Sequence, residues 1–124
     1  MYEIRFRHDI NLLDIAWHGL FSSDAVAAYA REAKARFAAE GFSPGYLLRM
    51  DMSHSAVQPK DAVAAFREHL GEGKFPRASR IAIVTPSVIA KMQVRREMTQ
   101  PYLRIFEAAE PALQWLLNGD GERA

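Results

Sequence analysis

Apolar and polar positions alternate from the start of the chain, where Tyr2, Ile4 and Phe6 are interleaved with Glu3, Arg5 and Arg7. A period of two predicts a strand with one covered and one wet face. Asp9-Ile10-Asn11 supplies turn residues, and Leu13, Ile15 and Trp17 then resume the alternation to about Phe21. The two strands are expected to pair as a hairpin. The period then changes. Ser22-Ser23-Asp24 offers acceptors for the free amides of a helix start, and Val26, Tyr29, Ala30, Ala33 and Phe37 recur at three-and-four spacing, which predicts a helix over 23–40 stopped at Gly41.

After the break Ser43-Pro44-Gly45, the run Tyr46 to Met52 is mostly apolar and of strand length, as suits a strand covered on both faces. Ser53 to Gln58 reads as a loop. Pro59 then fits the first turn of a second helix whose Val63, Phe66 and Leu70 face inward, with Gly71 ending it. Lys74 to Ser79 links this helix to the apolar strand Arg80 to Val84. Thr85-Pro86 predicts the cap and first turn of a third helix reaching about Thr99. Tyr102 to Phe106 reads as a fifth strand, Pro111 to Leu117 as a last short helix, and Asp120 to Ala124 as a frayed tail.

The resulting order, β-β-α-β-α-β-α-β-α over residues 1–119, describes one α/β domain. Right-handed crossovers would place its last four strands parallel in a mixed five-stranded sheet, with the first antiparallel at one side. Composition agrees: the 124 residues are 49% hydrophobic and 25% charged, enough for a single core. The net charge of +1 provides no global field toward nucleic acid or anionic lipid. With no cysteine, the chain excludes disulfides, thiolate-bound metals and thiol catalysis. It also shows neither a signal-peptide core nor an apolar run of about 20 residues, so a cytoplasmic protein without membrane insertion is expected.

Three segments carry a family resemblance: Asp51-Met52-Ser53 at the end of the third strand, Arg80 to Val84 leading into a helix, and Arg104 to Leu117. Together they resemble the STAS superfamily, and within it the small bacterial SpoIIAA-like branch grouped with SEC14-type proteins. Phe106, followed by an acidic turn and an Ala-Leu-x-Trp-Leu helix, carries the likeness furthest. Read physically, Phe106, Trp115 and Leu116 pin the chain end to the sheet, each worth about 1.5–3 kcal/mol of burial. The resemblance implies a non-enzymatic regulatory module that binds a protein partner, or alternatively a carrier of a small apolar ligand.

Ligand-binding groups of a parallel sheet gather beyond the carboxyl ends of its strands, at a reversal in strand order. Those ends supply Ser22, Ser23 and Asp24, then Asp51, Ser53, His54 and Ser55, then Thr85 and Ser87, and finally Glu107. In anti-sigma-antagonist relatives an Asp-apolar-Ser start precedes an Asp-Ser pair whose serine accepts phosphate. Here Asp51-Met52-Ser53 matches the start, while the later register falls at Pro59-Lys60 and has no hydroxyl. Ser53 and Ser55 are the remaining acceptors, equally explained as turn residues.

A hydrolase would need His54 as base, Ser53 or Ser55 as nucleophile, and Asp24 or Asp51 as orienter. Neighbours in sequence do not readily form that geometry, and no Gly-x-Ser-x-Gly turn is present. His8, His18, His54 and His69 lack metal-site spacing, and Gly71-Glu72-Gly73-Lys74 follows a helix and lacks the hydroxyl of a phosphate loop. No cofactor or metal is expected. In the third helix, Val88, Ile89 and Met92 are expected against the sheet. Met92, Val94, Arg95 and Met98 form a candidate interface, in one form a homodimer with Tyr102 or the first hairpin contributing. A ligand carrier would use Met50, Met52, Met92 and Trp17 as lining.

Overall fold

A computed structural model describes residues 2–55, 60–70 and 75–119. Ala56 to Gln58 of the expected loop, the helix-start residue Pro59, the helix stop and turn Gly71 to Lys74, and the tail Asp120 to Ala124 lie outside the described residues. The elements run β1 (Tyr2–Arg7), β2 (Leu12–Gly19), α1 (Ser23–Ala39), β3 (Leu47–Ser55), α2 (Lys60–Leu70), β4 (Arg80–Val84), α3 (Val88–Glu97), β5 (Leu103–Phe106) and α4 (Ala109–Asn118). The expected order and class are both met.

The strands lie in chain order, β1-β2-β3-β4-β5, with β1 antiparallel to β2 and every later neighbour parallel. Asn11 takes φ 56° in the β1–β2 turn, a left-handed conformation that asparagine tolerates better than most side chains. Because each crossover steps one strand in the same direction and is right-handed, α1, α2 and α3 fall on one face of the sheet. Among the described helices only α4 covers the other. The strand order never reverses among the described residues, so these strands form no crevice of the kind expected at such a reversal.

The larger core joins Leu13, Ile15 and Trp17 of β2, Leu48 and Met50 of β3, and Ile81 and Ile83 of β4 to Val26, Tyr29, Ala33 and Phe37 of α1. Trp17 is its aromatic centre, with ring centroids 5.0 Å from Tyr2, Tyr29 and Phe66 and 4.3 Å from Phe21. On the far face, Leu12, Ala82 and Val84 meet Ala112 and Leu116 of α4. Phe106 and Trp115 pack there at 5.7 Å, and the Arg104 guanidinium lies over Trp115, so the pinning role expected for this segment holds. The Arg80 guanidinium donates to the Leu116 carbonyl at 2.5 Å, and Gly119 closes the helix at φ 72°.

Since α4 rests on β3, β4 and β5 and meets β2 at the fully buried Leu12, the same face of β1 and of the rest of β2 stays more open. That area carries Glu3, Arg5, Asp14, Ala16, Arg49 and Asp51 around a shallow polar depression. Within it Arg49 grips Asp14 with two parallel hydrogen bonds, Nε to Oδ1 at 2.9 Å and Nη2 to Oδ2 at 2.6 Å. Arg49 also donates to the Ala109 carbonyl at the start of α4. One guanidinium therefore ties β2, β3 and α4 together.

Candidate functional site

The carboxyl ends of the parallel strands form one polar rim, and each residue assigned to it can be placed. Ser22 is the N-cap of α1, its Oγ accepting from the Ala25 amide at 3.2 Å, with Asp24 in the first helical turn. Ser53, His54 and Ser55 differ from the loop expected for them: β3 continues through Ser55, paired with β2 as far as Gly19. The register shifts between Ala16 and His18, leaving an extra residue in β3 that turns the strand end. Hydroxyl residues normally read as turn formers here satisfy themselves within the irregular strand.

Asp51 Oδ1 accepts from both the Ser53 amide, at 2.9 Å, and the Ser53 hydroxyl, at 2.6 Å. Ser55 Oγ donates to the Met52 carbonyl at 2.8 Å. Neither serine sits at a helix N-terminus, the position that favours a phosphate group. His54 lies beside His18, their rings parallel within 8° and 5.5 Å apart. Ser53 thus donates to a carboxylate, and the His54 ring stacks on a second imidazole. A nucleophile-base pair is not formed by these residues.

Thr85 is buried at 2% exposure and caps less than expected: its Oγ1 accepts from the Ser87 amide at 3.3 Å, and Ser87 is the true N-cap, accepting from Ala90 at 3.1 Å. Helix α3 therefore begins at Val88, beyond Pro86. Its orientation reverses the expectation. Val94 and Met98, proposed for an interface, are 8% and 6% exposed in the core, whereas Val88, Ile89 and Met92, expected against the sheet, are 69%, 61% and 54% exposed. The helix carries two apolar stripes. Ala90, Val94 and Met98, spaced by four, win the inner position against Phe66 and Val63 of α2, and the bulkier stripe is left outside with Arg95.

Met92 of this exposed stripe belongs to the candidate interface read from the sequence, whereas Val88 and Ile89 were expected inside, and the stripe does not stand alone. Leu20, at the rim end of β2, is 65% exposed, so among the described residues every large exposed apolar side chain except Leu117 lies at or next to this end. Lys91, on the same helix, approaches Glu107 at 3.5 Å. The rim end thus presents exposed apolar side chains from both the end of β2 and α3, with the Lys91–Glu107 ion pair on the α3 side.

The cavity expected for a small ligand is closed at the predicted place. Met50 and Trp17 are each 1% exposed in filled core, Met92 points outward, and the space beside Met52 measures about 30 Å³. A larger groove, about 350 Å³, lies instead between α1 and α2, lined by Val26, Ala27, Ala30, Ala65 and Phe75 with Arg31 and Lys34 at its edge. His69 forms part of its wall between the rings of Tyr29 and Phe75, and burial pushes the imidazole pKa down to about 4. Among the described residues, no cluster of three or more acidic or imidazole side chains is placed to hold a metal ion, and no helix is long and apolar enough to cross a membrane.

Solved structures share this arrangement. An uncharacterised protein of the DUF3478 family from Shewanella loihica PV-4, described as having a SpoIIAA-like fold, matches 94% of this chain and 92% of its own with a TM-score of 0.63 at 17% identity. This chain has a SpoIIAA-like fold. An anti-sigma factor antagonist from Mycobacterium paratuberculosis matches with a TM-score of 0.59 at 14% identity, covering 94% of both chains. No family model and no curated protein matches the sequence. At these identities the STAS-type resemblance read from Asp51 to Ser53 and from Arg104 to Leu117 holds at the level of the SpoIIAA-like fold.

Proposed function

We propose that residues 1–119 act as a non-enzymatic, cytoplasmic regulatory module that binds a protein partner across the rim of the sheet and the outer face of α3. One observation carries this reading: Leu20, Val88, Ile89 and Met92 gather as exposed apolar side chains at the same end as Asp51, Ser53 and His54. Clustered apolar groups rimmed by polar ones are the usual anatomy of a protein contact. The likeness to an anti-sigma factor antagonist supports a regulatory role.

Capture of partners from the native cell by wild-type protein, and by a variant carrying Val88→Ser and Ile89→Ser, tests the reading. The variant should lose a defined partner while keeping the wild-type melting temperature. Equal capture by both proteins would reject the surface.

The α1–α2 groove supports a second reading, carriage of a small apolar ligand, because about 350 Å³ lies within the range of small-molecule sites. Native mass spectrometry of gently purified protein should then show a retained small molecule. Repeated observation of the bare polypeptide mass counts against it.

A further inference from the structure

Among the described residues, strand β1 is one edge of the sheet and pairs only with β2, and edge strands are templates for added strands. Proteins commonly guard such edges with charge, and β1 does carry exposed Glu3 and Arg5 on its open face. The signs are opposite, and neither residue forms an ion pair among the described residues. A strand guarded in this way repels some registers and selects another.

Antiparallel neighbours place directly opposed residues on the same face, so a second copy of β1 can join only with like parity, centred on Glu3, Ile4 or Arg5. Centring on Glu3 opposes two carboxylates, and centring on Arg5 opposes two guanidinium groups. Centring on Ile4 opposes each Glu3 to Arg5 of the other copy. On the helix face the same register sets Ile4 against itself and Tyr2 against Phe6. All three are half-buried.

A second layer follows the same axis. The Tyr2 hydroxyl donates to the Glu32 carboxylate, and the Arg36 guanidinium lies 5.7 Å from the Phe6 ring centroid, so α1 hangs an acid above one end of β1 and a base above the other. Glu32 and Arg36 are 3.7 Å apart and nearly half exposed. Opposing Tyr2 to Phe6 brings Glu32 of one copy toward Arg36 of the other. Sheet and helix are therefore complementary to themselves about one two-fold axis.

We propose that the protein pairs with a second copy of itself through β1, in antiparallel register centred on Ile4, to form a continuous ten-stranded sheet. Sedimentation equilibrium of the full chain at concentrations up to about 1 mM is the test. Wild type should dimerise, Glu3→Arg should raise the dissociation constant roughly tenfold by opposing arginines twice, and adding Arg5→Glu should restore it. Both side chains are exposed, and thermal melts confirm that the variants fold.

A wild type that remains monomeric overturns the proposal. So does a dimer indifferent to Glu3→Arg, which would be held by another face, or a folded double variant without recovery. The chain has no cysteine, so Ile4→Cys provides a second readout: a short bis-maleimide should join two copies through that residue. Absence of the cross-linked dimer above the dissociation constant contradicts the register.

Discussion

Arg49 Nη2 lies 2.6 Å from Asp14 Oδ2, and both side chains are only 15% exposed. This fork between adjacent strands is the most desolvated ion pair among the described residues. The hydrogen bonds to Asp14 push the Arg49 guanidinium further up from its ordinary value. Removing Asp14 would leave a largely buried cation with one carbonyl partner. Asp14→Ala is expected to cost about 2 kcal/mol, less than a fully buried pair because water still reaches the site. Adding Arg49→Met should recover most of the loss, as chemical denaturation of the two variants will show. A double variant as unstable as Asp14→Ala would contradict the assignment.

His69 sets an acid limit on stability. Its imidazole is buried between Tyr29 and Phe75 and titrates at about 4, against an ordinary value of 6.5. Folding therefore favours the neutral ring. Its stabilising contribution is complete above pH 6.5 and declines as pH falls toward 4, by up to about 3 kcal/mol. His69→Phe should flatten the stability profile across that window, and an unchanged slope in urea titrations at several pH values would remove His69 as its source.

The reversed faces of α3 predict a contrast on one helix. Val88→Ser and Met92→Ser, at exposed positions, should each change stability by no more than about 0.5 kcal/mol. Val94→Ala and Met98→Ala remove core contacts and should cost about 1–3 kcal/mol, with Met98 the larger loss. Thermal denaturation of the four variants ranks the stripes directly. Equal costs on both faces would mean that α3 is oriented otherwise.

Gly119 closes α4 at φ 72°, and a Cβ there would stand 2.6 Å from Arg80 Nη2. That guanidinium holds the Leu116 carbonyl. Gly119→Ala should thus strain the backbone and displace the Arg80 cap, at about 1–2 kcal/mol. Loss of backbone amide protection confined to α4 in hydrogen exchange is the accompanying signature, and unchanged protection there would refute the coupling.

Much of the fold was legible because short-range patterns and long-range packing agree in it. The alternation of Tyr2, Ile4 and Phe6, the spacing of Val26, Tyr29, Ala33 and Phe37, and the apolar run Arg80 to Val84 each suit only one element. Where two answers were locally equal, the sequence was silent. The two apolar stripes of α3 differ by small offsets, and only packing on Phe66 and Val63 decides between them. Ser53 to Ser55 has loop chemistry, yet parallel pairing with β2 holds it in the sheet. The fork between Arg49 and Asp14 joins positions far apart in the chain, and their charges inside apolar runs were the available signal. The groove between α1 and α2 gave still less warning, since alanines line filled and open space alike.

The two tryptophans divide between the layers of the molecule, Trp17 in the core beneath α1 and α2, Trp115 on the opposite side of the sheet beneath Arg104. Each layer thereby owns a chromophore. With Trp115→Phe the remaining emission reports the helix-covered core alone, and with Trp17→Phe it reports the seating of α4. The sheet is an optical partition: comparing the two signals during denaturation distinguishes a molecule that loosens one side first from one that opens on both sides together.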